Sequence, residues 1–257
     1  GWSGDRSPGA LDRLKRDVLS RKPDVVSICF GMNDGNYRPF DQGSFDTYMK
    51  GMSGIISDLK AAGVRVVLLT PGCVDPDKNG CYLNVNLNGY NETLARYADG
   101  VKDLASKERL PVYDIHRLML DIQTQAKAAD PKFTMIPDGI HPTPTGHALM
   151  AYGFLSALGC ISSASGLDID AVKAAVVPDR CTVKNLVVKE DAVTFVRTDE
   201  ALPIYFESEV ARVAKFAPFF SDMNVYSLKV TGLKPGTWKL NVQGMEVGKF
   251  AADALAA

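Results

Sequence analysis

Three short runs of apolar and β-branched residues punctuate the first half of the chain: DVVSICF at 24–30, VRVVLLT at 64–70 and PVYD at 111–114. Runs of this length and composition predict strands, and amphipathic stretches of helical length lie between them. In ALDRLKRDVLSRK, residues Leu11, Leu14, Val18 and Leu19 fall on one stripe and Pro23 marks the end. Over 44–62 a second stripe, Phe45, Tyr48, Met52, Ile55, Ile56 and Leu59, faces inward and stops at Gly63. A loop rich in Gly, Pro, Asn and Asp at 71–89 leads to a third helix at 90–107. A fourth, at 144–158, has Thr143 at its N-cap, Pro144 at its first helical position and Gly159 near its end. Strand alternating with helix predicts a parallel sheet.

Beyond about residue 178 the texture changes. Strand candidates at 182–188, 192–197, 225–231, 237–242 and 245–249 follow one another, separated by turns such as Lys234-Pro235-Gly236 and Gln243-Gly244, and read as antiparallel. The expected division is an α/β domain over 1–178 and a small β-rich extension over 179–257. No internal repeat or low-complexity tract interrupts either part.

Composition narrows the partners. With 257 residues, 46% hydrophobic and 23% charged, the chain can bury a full core. A net charge of −1 leaves no basic footprint, so nucleic acid and anionic membrane surfaces drop out. No apolar stretch approaches the roughly 18–20 residues of a transmembrane segment, and oligomeric state leaves no mark. Five cysteines are too few for a disulfide scaffold and lack the doubled CxxC spacing of a zinc site, so neither metal nor cofactor is expected. Cys29 sits in an apolar run as a small core residue. Cys73 and Cys81 bracket a polar loop, and Cys160 and Cys181 a short connection; two local disulfides are one alternative, and they would place the protein outside the cytoplasm.

Three segments carry chemistry: Gly1-Trp2-Ser3-Gly4-Asp5, Gly31-Met32-Asn33-Asp34 after the first strand, and Asp138-Gly139-Ile140-His141 before the capped helix. In open parallel sheets the site gathers beyond the carboxyl ends of the strands, where Asn33 lies. Its amide can donate into a cleft, and a donor aimed at a developing oxyanion is worth about 3–4 kcal/mol. Asp138 and His141 are close enough for the carboxylate to take the Nδ1 proton and leave Nε2 as a base. Alone, an Asp-x-x-His is ordinarily a turn aspartate beside a satisfied loop histidine, and a Gly-x-Asn-Asp an ordinary strand-to-loop turn.

Together and in this order, the segments resemble the SGNH (GDSL-like) hydrolase family over residues 1 to about 160: GWSGDRS is similar to its second signature block, KPDVVSICFGMNDG to its third and PDGIHPTPTGHALMA to its fifth. The resemblance implies a three-layer α/β fold of flavodoxin-like type and ester hydrolysis through an acyl-enzyme. By it, Gly4 gives a backbone N–H and Asn33 a side-chain N–H to the oxyanion, His141 is the general base, and Asp138 orients it. The tail, with TGLKPGTWKLNVQG, is similar to extensions on secreted bacterial esterases of this type, which adds to the expectation of a secreted or periplasmic protein. Acetylated sugars, lysophospholipids and short acyl esters all fit the same four groups.

One departure matters. The family sets its nucleophilic serine in a Gly-Asp-Ser turn ahead of the second block, and no such turn occurs here. Ser3 falls inside the second block and Ser7 is placed to cap a helix starting at Pro8. The expectation is an N-terminal truncation, with this chain inactive on its own. The rival from another class is a binding module on the same scaffold that has lost its serine and holds an acylated glycan or lipid. Asp34, His116 and His147 read as structural. Tyr37, Arg38 and Phe40 are placed to line an acyl or sugar pocket, and Trp2, Phe219, Phe220 and Trp238 read as core or interface anchors.

Overall fold

The computed structural model describes residues 2–82 and 84–257, apart from the side chain of Phe220; the expectations placed on Gly1 and Phe220 lie outside the described residues. The chain forms two compact units, Gly1–Ile161 with Phe206–Ala217, and Ser162–Tyr205 with Pro218–Ala257.

In the first unit the three apolar runs become β1 (Val25–Ile28), β2 (Arg65–Leu69) and β3 (Val112–Tyr113), parallel and in that order across the sheet. The intervening stretches become α1 (Ser7–Asp17), α2 (Gln42–Ala61), α3 (Tyr90–Glu108), α4 (Ile115–Ala129) and α5 (Pro144–Ala157). Because successive strand residues point to opposite faces, β2 serves two cores. Val66 and Leu68 join Leu14 of α1, Met52, Ile56 and Leu59 of α2, and Val101 of α3 in one buried cluster. On the remaining side α5 packs on β2 and β3. The result is the expected three-layer α/β arrangement of helices on both faces of a parallel sheet.

Local signals explain most boundaries. Asp41 accepts from the Ser44 N–H (2.8 Å) and so caps α2, and Gly63, at φ +74°, turns the chain out of it. Five of the six residues expected on the inner face of α2 are buried, Phe45 only partly. Helix α5 starts at Pro144 as expected, although the Thr143 hydroxyl makes no capping bond. The helix read between residues 10 and 22 begins earlier, at Ser7, and breaks at Asp17, where a 3-10 turn and Lys22 at φ +52° lead into Pro23.

The second unit holds β4 (Ser165–Asp170), β5 (Ala175–Asp179), β6 (Cys181–Val188), β7 (Val193–Asp199), β8 (Tyr226–Thr231), β9 (Thr237–Val242) and β10 (Met245–Ala251). β4 lies between β5, antiparallel, and β8, parallel; β6–β7 and β9–β10 are antiparallel pairs. An antiparallel tail is therefore right for the hairpins and wrong for β4–β8. The units divide at Ile161, ahead of residue 178, because SGLDID and AVVPD pair with each other; their Gly, Asp and Pro hide their strand character in the sequence. Residues 206–217 return to the first unit, with Val210, Val213 and Ala217 buried around α6 (Ser208–Ala211).

All five cysteines are free thiols, so neither disulfide forms. Cys73 is buried, and burial, with the nearby Asp75 charge, pushes its thiol up to about 12, whereas Cys81 is exposed. Cys160 is exposed at the end of the first unit, and Cys181 belongs to the core of the second. Cys29, just after β1, is exposed as a residue rather than part of the core, although its thiol donates to the Thr70 carbonyl (3.4 Å) and desolvation pushes it up to about 11. Phe219 is buried and Trp238 half-buried, but Trp2 is 67% exposed and anchors no core. Among the described residues no helix is long and apolar enough to cross a membrane.

Candidate active site

Gly31, at φ +123°, turns the chain sharply after β1 with its α-carbon against the Pro71 ring, where a β-carbon would crowd. The turn delivers Asn33, half-buried, to the carboxyl edge of the sheet. Its Nδ2 donates to the Asp5 carbonyl (3.0 Å), and its Oδ1 accepts from the Tyr37 hydroxyl (2.7 Å). A carbonyl can only accept, so the Asp5 bond fixes which end of the amide is nitrogen and leaves the second Nδ2 hydrogen to point elsewhere. The same bond draws in the turn at residues 2–5, closed by Asp5 N–H to Trp2 O (3.2 Å). Gly4 takes φ +71° there, exposed, with open space where a side chain would stand. Arg13 of α1 holds the turn, donating from Nε to Asp5 Oδ2 (3.0 Å), pairing with it again through Nη2, and lying over the Trp2 ring at 5.9 Å. Asn33 is thus tied to the residue that follows Gly4.

The acid–base pair is built in the loop before α5. Asp138 Oδ1 accepts the backbone N–H groups of Ile140 (2.9 Å) and His141 (2.7 Å), and Oδ2 stands 2.6 Å from His141 Nδ1. An ionised carboxylate only accepts, so Nδ1 carries a proton, and in the neutral ring Nε2 presents its lone pair. Partial burial pushes the Asp138 carboxyl up, but the His141 and Ile140 N–H groups and the His141 ring outweigh it and hold it below the usual carboxylate range. The His141 side chain is 57% exposed, with the Tyr82 ring edge-on to it, centroids 4.9 Å apart. The loop is tied down from beneath: the Asp75 N–H donates to the Gly139 carbonyl (3.0 Å), and buried Asp75 itself accepts from Lys127 (2.5 Å) and the Thr134 hydroxyl (2.6 Å).

The two halves meet through an apolar cluster. Val74, Leu87, Tyr90, Leu94 and Ile140 are buried together, with Met32, Tyr37 and Tyr82 packed against them, so the loop carrying Asn33 and the loop carrying His141 share one core. Burial raises the Tyr37 hydroxyl above its ordinary pKa, and Tyr82 and Asp138 raise it further, so it stays protonated. Its backbone is costly: Asn36 (φ +56°) and Tyr37 (φ +51°) are consecutive left-handed residues, a conformation asparagine tolerates but which costs a tyrosine roughly 1–2 kcal/mol.

Other residues fall to structural work. The Ser7 N–H and hydroxyl both donate to Asp34 Oδ1 (2.9 Å each), and the hydroxyl also reaches the Tyr48 carbonyl (3.0 Å); Ser7 is fully buried and opens α1 rather than capping it. Asp34 Oδ2 takes the Gly31 N–H (3.0 Å), which makes this carboxylate the clamp of the loop, as expected. Ser3 is exposed in the turn at residues 2–5. His116 is buried, its Nδ1 donating to the Gly72 carbonyl (3.0 Å), and His147 is exposed on α5. Of the expected pocket residues only Tyr37 lies at the site. Arg38 is engaged with Ser44 and Asp41, and Phe40 packs into the core beside Phe45 and Tyr97. The Asp5 carbonyl, Asp75 and Tyr82 escaped sequence reading. The first acts through its backbone, and the other two lie in a long loop that offers no periodicity. Among the described residues no three His, Cys, Asp or Glu side chains gather as metal ligands.

Comparison with known proteins gives the family. A model of the GDSL-like lipase/acylhydrolase family matches residues 1–149, and the chain belongs to that family. An acetylxylan esterase from Geobacillus stearothermophilus is 25% identical over 171 residues, 62% of this chain and 70% of that enzyme. A gut microbial diltiazem-metabolizing enzyme is similar in structure, with a TM-score of 0.74 and 28% identity over 98% of this chain; the chain spans 62% of that enzyme's length. A second acetyl xylan esterase shares the fold, with a TM-score of 0.51 and 20% identity over 62% of this chain and 78% of its own.

Proposed function

We propose that this chain supplies the acid–base pair and the oxyanion donors of a carboxylic ester hydrolase that works through an acyl-enzyme, the serine nucleophile lying outside these 257 residues. The observation that carries the reading is the Asp138–His141 pair at 2.6 Å, Nδ1 occupied and Nε2 open, in a loop that shares a core with the Asn33 loop. His141 Nε2 takes the serine proton as its oxygen attacks the ester carbonyl. The negative oxygen of the tetrahedral intermediate rests on the Gly4 N–H and the second Asn33 Nδ2 hydrogen. Collapse expels the alcohol, which leaves with the proton from Nε2, and His141 then activates water to release the acid. Asp138 stays a carboxylate throughout.

The burial and bonding of Ser7 support an external nucleophile, because its hydroxyl is fully buried and its one proton is shared between the Asp34 carboxylate and the Tyr48 carbonyl. The acyl group we assign is acetyl, in line with the acetylxylan esterase relative. The test is a series of p-nitrophenyl esters of rising acyl length with the natural full-length protein, together with mass spectrometry of the protein quenched during turnover. An acetyl adduct on a serine outside these residues, and kcat/KM highest for acetate, are expected. Binding of acylated glycans without turnover or adduct would instead favour a binding module.

A further inference from the structure

We infer that Tyr37 is a positioning residue for the oxyanion hole, setting the rotation of the Asn33 amide; the inference rests on the ester-hydrolase reading. Asn33 has one hydrogen committed to the Asp5 carbonyl (3.0 Å), and the remaining polar atom of its amide, Oδ1, is held among the described residues only by the Tyr37 hydroxyl (2.7 Å). Two anchors at opposite ends of a planar group define its plane, and the direction of the second Nδ2 hydrogen follows. With one anchor, the amide swings about the Asp5 bond.

The rest of the surroundings is arranged to keep Tyr37 there. Its ring lies against Tyr90 (centroids 5.2 Å apart), and the Tyr90 hydroxyl donates to the Met32 carbonyl (2.6 Å), so both sides of Asn33 are tied to the same aromatic pair. Gly35 passes directly against the Tyr90 hydroxyl, where a β-carbon would collide, and Asn36 and Tyr37 then adopt left-handed backbone to bring the ring back over Asn33. A bulky residue held in that conformation and hydrogen-bonded through its tip is placed by more than packing. The Tyr37 ring also packs in the cluster that contains Ile140 and Tyr82, the latter edge-on to His141, so the side chain that orients the oxyanion donor abuts the loop that carries the base.

The test is a double-mutant cycle on p-nitrophenyl acetate hydrolysis in the natural full-length protein. Asn33→Ala is expected to lower kcat about 100- to 1000-fold, as for loss of other oxyanion donors. Tyr37→Phe keeps the ring and is expected to lower kcat about 10- to 100-fold with KM changed less than about twofold. In the Asn33→Ala background Tyr37→Phe should cost less than about twofold more, because the group it positions is gone. Equal losses in both backgrounds, or a loss confined to KM, would overturn the positioning role. Parent-like turnover of Tyr37→Phe beside a crippled Asn33→Ala would sink the role of Tyr37 alone; a parent-like Asn33→Ala would sink the ester-hydrolase reading beneath it. A measurement that needs no variant stands beside the cycle: in proton–nitrogen NMR spectra of the wild-type protein the Asn33 side-chain hydrogen bonded to the Asp5 carbonyl should exchange slowly with solvent. Rapid exchange in the folded protein would contradict an anchored amide.

Discussion

Asp34 and Asp138 sit in loops that share one core, and each accepts two backbone N–H groups, yet their surroundings differ. Asp34 is 5% exposed, and its oxygens are taken by the Ser7 N–H, the Ser7 hydroxyl and the Gly31 N–H. Asp138 gives one oxygen to two backbone N–H groups and keeps the other for an imidazole that faces solvent. The electrostatics diverge in step. Burial lifts the Asp34 carboxyl above the usual range against the pull of its donors, whereas the donors at Asp138 prevail over its lighter burial and lower it. On the proposed reading, a carboxylate serves the site by leaving one oxygen to a titratable partner at the surface, whereas one spent wholly on fixed N–H and O–H donors is scaffolding.

Substitution separates the two. Asp138→Asn, which removes the charge facing the imidazolium and lets the ring take the wrong tautomer, should lower kcat on the order of a thousandfold with little change in melting temperature. A loss under tenfold would make Asp138 a mere turn residue. Asp34→Asn should do the reverse, destabilising the protein by about 2–3 kcal/mol in urea unfolding because the new amide turns a donor toward a buried donor, while turnover stays within about tenfold. Full stability with abolished turnover would erase the distinction. The smallest effect is in pH. A lowered folded pKa gives stability that is present above the ordinary carboxylate range and lost as pH falls through the folded value, whereas a raised one gives stability that is lost as pH rises through it. Wild-type stability measured relative to Asp138→Asn should therefore rise with pH across the carboxylate range, and relative to Asp34→Asn it should fall. Slopes of the same sign would contradict the environments assigned to the two groups.

How far the sequence reached depended on how each feature is encoded. The strands at 25–28 and 65–69 were legible because apolar runs bounded by Pro and Gly have few other readings, and the inner face of α2 followed from its period. Strands β4 and β5 were not, since their Gly, Asp and Pro content argues against strand and only pairing makes them so. Asp138, His141, Asn33 and Gly4 were legible as spaced chemical types. The Asp5 carbonyl that orients Asn33 is common to every residue and carries no signature, and nothing in the letters announces that Tyr37 takes a left-handed backbone. The paired cysteines failed for a related reason: nearness in sequence said nothing about Cys73 being buried while Cys81 faces outward.

The central claim is that His141 is the base of an ester hydrolase. Its most direct test is p-nitrophenyl acetate hydrolysis by the natural full-length protein beside its His141→Ala variant. We expect kcat/KM to fall at least about a thousandfold with the fold intact by circular dichroism. Equal turnover by both proteins, or none by a correctly folded wild type on acetyl and longer acyl esters, would contradict it.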